Sequence, residues 1–331
     1  MTTIRPSRRS LLATAGLGLG ALAAPRAFAQ NGYPDRPVRL VVGFAAGGPT
    51  DVLARLVAPV YQEQLGQPVV VENRPGAAGN IGSEAVARSP GDGHTLLVAN
   101  VGQVAINPHT YPNMPFDPRT DLVPVALMTT GSLLLVAHSS LGTPTMADLI
   151  ALLKREPDRH KFATSGAGGI AHVVTELWRQ RAGVDITPMH FRGTAAAIPE
   201  LLAGRVRIFM DGVQMLGEHV QAGRFHAMFT TASARQPLLP QAPTTAELGM
   251  PDIDFTSWFG LFAPRGTPQP VIDRLVAVNR RALETPNVRE RLAAGAVTAS
   301  PSTQAELAER TTRDYNLYGE AVRSANIRAD A

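Results

Sequence analysis

Twice in this chain a strand-like apolar run stops at a glycine-rich turn and opens directly into a helix-like run. "VRLVVGF" passes through "AAGGPTD" into "VLARLVAPVYQEQL", and "KFATS" passes through "GAGG" into "IAHVVTELWRQRAG". Near-continuous apolar strands alternating with helices argue for a mostly parallel sheet covered by helices. The pattern recurs: "PVVVEN", "HTLLVAN", "LLLVAH", "ITPMHF", "VRIFMDG" and "FHAMFTT" are strand-like, with helical segments between them. The last third, "PQPVIDRLVAVNRRALETPNVRERLAAG" and "STQAELAERTTRDYNLYGEAVRSA", places apolar residues at i, i+3, i+4 and is predicted helical throughout.

This order predicts an α/β protein of two units, the first over residues 30–128 and the second over 129–229. A helical tail cannot form a domain alone, so the simplest packing returns 230–331 to the first unit. Two lobes joined by two crossover segments form a cleft that closes around a ligand. Ligands of open α/β sheets sit beyond the carboxyl ends of the strands, so the strand-to-helix loops should line that cleft.

The first 29 residues read as a leader. Ser7-Arg8-Arg9-Ser10-Leu11-Leu12 resembles a twin-arginine export signal, an apolar run reaches Ala24, and Ala27-Phe28-Ala29 supplies a small-x-small cleavage site. A membrane anchor is the alternative, but the run is shorter than the ~20 residues that cross a bilayer. The leader carries Arg5, Arg8, Arg9 and Arg26 and no acid. Its removal turns the formal +4 into zero, with 27 basic and 27 acidic residues left. Without a basic excess, no global field attracts nucleic acid or anionic lipid. The chain has no cysteine, which excludes disulfides, thiolate metal sites and cysteine nucleophiles.

The two glycine turns carry the candidate chemistry. In Phe44-Ala45-Ala46-Gly47-Gly48-Pro49-Thr50-Asp51, the glycines let backbone approach a ligand, Pro49 presets the first helical turn, and Thr50 or Asp51 can cap it. In Ser165 to His172, Gly166, Gly168 and Gly169 free further amides, with Ser165 as a hydroxyl donor. Either loop alone fits an ordinary tight turn. One per lobe, at matching places, argues for a pair of helix N-termini facing one anion, and a neutral mature chain suits a small carboxylate better than a polyphosphate.

Other chemistries fit less well. Gly166 to Ala171 matches G-x-G-x-x-A, but Asp185 opens the next strand where a ribose-binding acid should end it. The histidines show no zinc spacing and no G-x-S-x-G elbow occurs, so no metal, cofactor or catalytic residue is predicted. Ser165, His172 and Asp211 can be drawn as a triad, which keeps one alternative open: an exported α/β hydrolase-like enzyme for a small ester or amide. Asp211 either faces the cleft or shapes the "MDG" turn, and Trp258 reads as core.

The chain resembles the solute-binding proteins of tripartite tricarboxylate transporters, the Bug family. The resemblance runs in order through "YPDRPVRLVVGFAAGGPTD", "LGQPVVVENRPGAAGNIGSEAVARSPGDGHTLLVAN", "INPHTYPNMPFDPRTDLVPV", "SGAGGIAHVVTEL", "FRGTAAAIPELLAGRV" and "WFGLFAPRGTPQPVIDRL". It implies a non-catalytic, monomeric periplasmic protein with a two-lobed, type II-like periplasmic-binding-protein fold. Such a protein closes on a small organic carboxylate and delivers it to a permease of one large and one small subunit; a sensor kinase is a further partner to test. The family's ligand loops map onto Phe44, Ala45, Gly47, Gly48, Thr50 and Asp51, and onto Ser165, Gly166, Gly168 and His172. Gly193 and Asp211 complete the candidate set. The family's Tyr-Lys-Gly-Gly segment is here Phe191-Arg192-Gly193-Thr194, Gly43 replaces a frequent proline, and His94 a frequent tyrosine. These departures are expected to retune the ligand.

Overall fold

The computed structural model describes residues 32–329 except 192, 252 and 254, so the leader read at 1–29 lies outside the described residues. The chain first forms β1 (Val38–Val42), β2 (Val69–Asn73), β3 (Thr95–Asn100) and β4 (Leu122–Gly131). It crosses at Ser132 into β5 (Leu133–His138), β6 (Lys161–Thr164), β7 (Thr187–His190), β8 (Ile208–Gly212) and β9 (Phe225–Thr230), then returns as β10 (Ser257–Pro264) and β11 (Val297–Ala299). One sheet has the order β11-β4-β10-β3-β1-β2 and the other β7-β6-β8-β5-β9.

The sheets are mixed rather than mostly parallel. β2-β1-β3 and β7-β6-β8 are parallel, whereas β10, β4 and β11 in one sheet, and β5 and β9 in the other, pair antiparallel. The reason is the crossing itself: β4 and β9 run with the βα strands and leave their sheets at the carboxyl edge, so β5 and β10 enter the other sheet from that edge and run against its βα strands. The crossings fall at Ser132 and beyond Thr230. The segment after β9 stays with the second sheet through a Thr230–Thr244 bridge and a Thr245 N–H bond to Thr230 O of 3.0 Å.

Helix Pro49–Leu65 and helix Gln269–Glu284 cover one face of the first sheet. Their apolar stripes bury Leu53, Val57, Tyr61, Leu275 and Val278, and each such aliphatic side chain contributes about 1.5–3 kcal/mol over exposure. The Tyr61 hydroxyl donates to Asn279 Oδ1 at 2.8 Å, and Asn279 donates to Leu127 O at 3.0 Å, so this interface is also polar-registered.

The last helix, Gln304–Ser324, starts at a capping box of Thr303 and Glu306. It does more than return to the first unit. Leu307, Tyr318, Ala321 and Val322 join one apolar cluster with Phe162 and Trp178 of the second lobe, because the helix carries an apolar stripe long enough to touch both. Trp258 is fully buried, as its sequence context suggests, and its indole N–H donates to Asp314 at 2.6 Å. Among the described residues no helix is long and apolar enough to cross a membrane.

Candidate functional site

Both glycine loops stand where the parallel strands end, one after β1 and one after β6. Their backbones match. Gly47 is left-handed at φ 84° and Gly168 at φ 71°, and each is followed by an extended N-cap glycine, Gly48 (φ −76°, ψ 167°) and Gly169 (φ −73°, ψ 168°). Each N-cap amide looks back at the carbonyl three residues earlier at 3.4 Å, Gly48 to Ala45 and Gly169 to Gly166. A left-handed backbone without a Cβ is what lets both turns reverse so tightly.

The side chain four residues after the left-handed glycine completes each turn. The Gly47 N–H donates to Asp51 Oδ2 at 2.9 Å, and the Gly168 N–H donates to His172 Nδ1 at 3.0 Å. This corrects two expectations. Neither Thr50 nor Asp51 caps its helix, since Gly48 is the N-cap without a side-chain bond, and Thr50 is buried in the first turn. Nor are the Gly47 and Gly168 amides free for a ligand. The amides that a helix start leaves without an intrahelical acceptor are those of Thr50 and Asp51, and of Ile170, Ala171 and His172, because Pro49 has no N–H.

Asp51 is 2% exposed and fully engaged: besides Gly47 it accepts from Arg55 Nε at 3.0 Å and Asn73 Nδ2 at 2.9 Å. Asn73 also donates to Phe44 O at 3.0 Å, which pins the half-buried Phe44 and leaves Ala45 at the exposed tip. Burial alone would raise the Asp51 carboxyl, but Arg55, the Gly47 amide and Asn73 outweigh it and hold it below the usual carboxylate range. Asp51 is an organiser of the loop, turned inward.

His172 is 6% exposed, and burial, aided by His190, pushes its imidazole down to about 4. It is therefore neutral, and because Nδ1 accepts the Gly168 amide its proton resides on Nε2. Ser165 bonds Asp211, which also accepts from Thr194 Oγ1 at 2.6 Å and from the Gly212 amide at 2.7 Å. Burial pushes the Asp211 carboxyl up, and the three donors only partly offset it. Gly193 is left-handed at φ 94° and its N–H donates to Ser165 O at 3.0 Å, tying the Phe191–Thr194 loop to the second glycine loop. The triad drawing fails here: Ser165 turns to Asp211, and the His172 nitrogen a base would use toward it is committed to Gly168.

Gly166 makes no close approach, whereas a Cβ on Gly168 would lie 3.2 Å from Thr110. Thr110 follows β3 in the first lobe, so the second loop abuts the first lobe there. Among the described residues no hydrogen bond or ion pair joins one glycine loop to the other.

Residues missed at the sequence level lie under the first loop. "ENRPGAAGNIG" is a scaffold: a Cβ on Gly43 would sit 2.7 Å from Gly79 O and 2.8 Å from Gln103 Nε2, and one on Gly82 2.8 Å from Gly43 Cα. Gln103 is fully buried in a π-helical turn, Gly102–Ile106, and donates to Ser83 Oγ at 2.8 Å. Proline at position 43 has no room against this packing. His94 lies at the amino end of β3, away from both loops, held by Asp92 at 3.2 Å and Asp35 at 3.1 Å. Its departure from the family pattern therefore bears on the packing with Tyr33, Asp35 and Asp92 and not on the loops.

A family model described as tripartite tricarboxylate transporter family receptor matches residues 53–320. Protein BugT of Bordetella pertussis is 36% identical over 289 residues, 87% of this chain and 89% of its own. Among solved structures, Rpa4515 of R. palustris with adipate superposes with a TM-score of 0.83 at 32% identity, covering 90% of this chain and 99% of its own. MatC from Rhodopseudomonas palustris with bound malate gives 0.79 and 32%, over 87% and 99%. The periplasmic binding protein BugD gives 0.80 and 31%, over 89% and 99%. The family model describes a receptor, and the hydrolase alternative is not supported. The chain belongs to the receptor family of tripartite tricarboxylate transporters, the Bug family.

Proposed function

We propose that this protein captures a small dicarboxylate between its two lobes, one carboxylate lying between the helix starts at Thr50–Asp51 and Ile170–His172. The observation that carries this reading is the matched pair of turns, each with its inner glycine amide already bonded and its first-turn amides open. Two helix N-termini converging on one anion contribute about 0.3–1 kcal/mol each near a surface and up to ~2 when partly buried. The relatives solved with adipate and with malate support a short dicarboxylate. Phe44, Ala45, Gly47, Gly48, Ser165, Gly166, Gly168, Gly193 and Asp211 wall and shape the site, and Asp51 and His172 brace it from behind.

The leader at 1–29 exports the chain to the periplasm, and the lobe built on the first sheet closes on the lobe built on the second, which begins after the Ser132 crossing and keeps the segment following β9. The closed monomer hands its ligand to a permease of one large and one small subunit; a sensor kinase is a second reader of the same closed state. A thermal-shift panel of residues 30–331 against dicarboxylates and their diamides tests the reading. Saturation at 100 times Kd adds about 2.7 kcal/mol and raises Tm visibly. Stabilisation by acids and not by diamides is the expected result; equal response to both overturns it.

A further inference from the structure

Thr110 of the first lobe lies against Gly168 of the second. A Cβ on Gly168 would stand 3.2 Å from Thr110 Cβ and Oγ1 and 3.3 Å from its Cγ2, so the side chain lies flat on the glycine. Thr110 is 1% exposed, and its hydroxyl has no hydrogen-bond partner among the described residues. Other buried threonines in helices solve this locally. Thr175 and Thr311 each donate to the carbonyl four residues earlier, both at 2.7 Å. Thr110 closes the helical turn Asn107–Thr110 and makes no such bond.

The turn that carries Thr110 is fastened on every side. Asn107 Nδ2 donates to Asn80 Oδ1 at 2.7 Å and to Ala78 O at 3.1 Å. His109 Nε2 donates to Tyr315 O of the last helix at 2.8 Å, and a Cβ on Gly319 of that helix would lie 2.6 Å from the His109 ring. Thr110 O itself accepts the Ala329 N–H at 3.1 Å, with Ile327 and Ala329 both buried. Gly168, by contrast, belongs to a loop that travels with the second lobe.

A buried hydroxyl without a partner is unfavourable relative to the same group in water. Here the cover is the other lobe: separating the lobes lifts Gly168 from Thr110 and gives the hydroxyl back to water. We infer that Thr110 is a positioning residue that sets the resting lobe angle, its hydroxyl opposing closure and holding the empty protein open. A ligand that grips both helix starts offsets this opposition, whereas an acid held by one lobe has no differential affinity for the closed state. The effect on ligand selection rests on the cleft reading above; the effect on the empty protein does not.

The chain has no cysteine, so two introduced ones carry spin labels cleanly. Ile81 and Ala196 are exposed and lie in the first turns of the helices that follow β2 and β7, one on each lobe's cleft side. The distance between labels at Ile81→Cys and Ala196→Cys, read by pulsed electron paramagnetic resonance in residues 30–331 without any acid, reports the resting angle. Thr110→Val keeps the shape and removes the hydroxyl; it should shorten the mean distance and raise the closed-to-open ratio at least about five-fold. Thr110→Ser keeps the hydroxyl and should stay at the parent distance. Gly168→Ala presses a methyl onto Thr110 and should lengthen it, which keeps the test standing if Thr110→Val does not fold. In titrations with malate and adipate, whichever binds the parent should bind Thr110→Val about five-fold more tightly. If the distances follow this order but neither acid binds, the cleft reading fails and the role of Thr110 stands. A parental or longer distance in Thr110→Val, a Thr110→Ser shift equal to that of Thr110→Val, or an unchanged distance in Gly168→Ala overturns the inference.

Discussion

Asp51 and His172 occupy equivalent places in the two lobes, each accepting the amide N–H of the left-handed glycine four residues before it, at 2.9 and 3.0 Å. One acceptor is an ion and the other a neutral ring, yet the turns they close have the same dihedrals. Binding chemistry in such a design rests on backbone; the side chains fix where the backbone points.

Asp51→Ala should destabilise the protein by about 2–3 kcal/mol, because it leaves the Gly47 amide and Asn73 without their acceptor and Arg55 unpaired. Arg55 is half-exposed and recovers water, which keeps the loss below that of a fully buried pair. Denaturant unfolding measures it, and carboxylate affinity should fall with stability. A variant as stable as the parent would show that the loop holds without Asp51.

Acid should destabilise the fold through His172. Its folded value of about 4 lies below the ~6.5 of an unfolded histidine, so the unfolded chain binds the extra proton between them. The stability is complete above ~6.5 and falls as pH drops towards 4, by up to about 3 kcal/mol. Asp51, also lowered, loses its contribution only as pH falls further through its folded value. Asp211 acts oppositely, since a raised carboxyl contributes below its unfolded value and loses that as pH rises. His172→Gln keeps an acceptor for Gly168 and should flatten the acid slope measured between pH 7 and 4.5; an unchanged slope assigns it elsewhere.

Gly47→Ala and Gly168→Ala should differ. Both force a Cβ into the left-handed region, at about 1–2 kcal/mol. At Gly47 the space is open, but at Gly168 the new methyl also meets Thr110 at 3.2 Å. Gly168→Ala should therefore lose more stability in parallel melts, and equal losses would mean that Thr110 yields freely.

Gly43→Ala should cost about 1–3 kcal/mol by overpacking against Gly79 and Gln103. Unfolding midpoints compare it with the parent. A neutral outcome would show that the Gly102–Ile106 turn adjusts.

The strand-turn-helix units and both glycine loops were legible because apolar runs and glycines carry a local signal that burial then respects. Trp258 was legible as core for the same reason. What one residue accepts from another was not: the roles of Asp51 and His172 depend on a left-handed turn that exists only once the strand and helix are placed. The reversed strands β5 and β10 read like any other apolar run, since their direction follows from the crossings. The scaffold under Gly43 joins Gly79 and Gln103, which lie far apart in the chain, and no periodicity reports such a contact.

The most direct test follows the backbone amides of the two loops by ¹⁵N NMR during titration with the acid that raises Tm most. If one carboxylate bridges the lobes, the amides of Thr50 and Asp51 and those of Ile170 and Ala171 shift together and saturate at one equivalent. If only one loop responds, or neither does while the protein still binds the acid, the two helix starts do not hold the ligand between them.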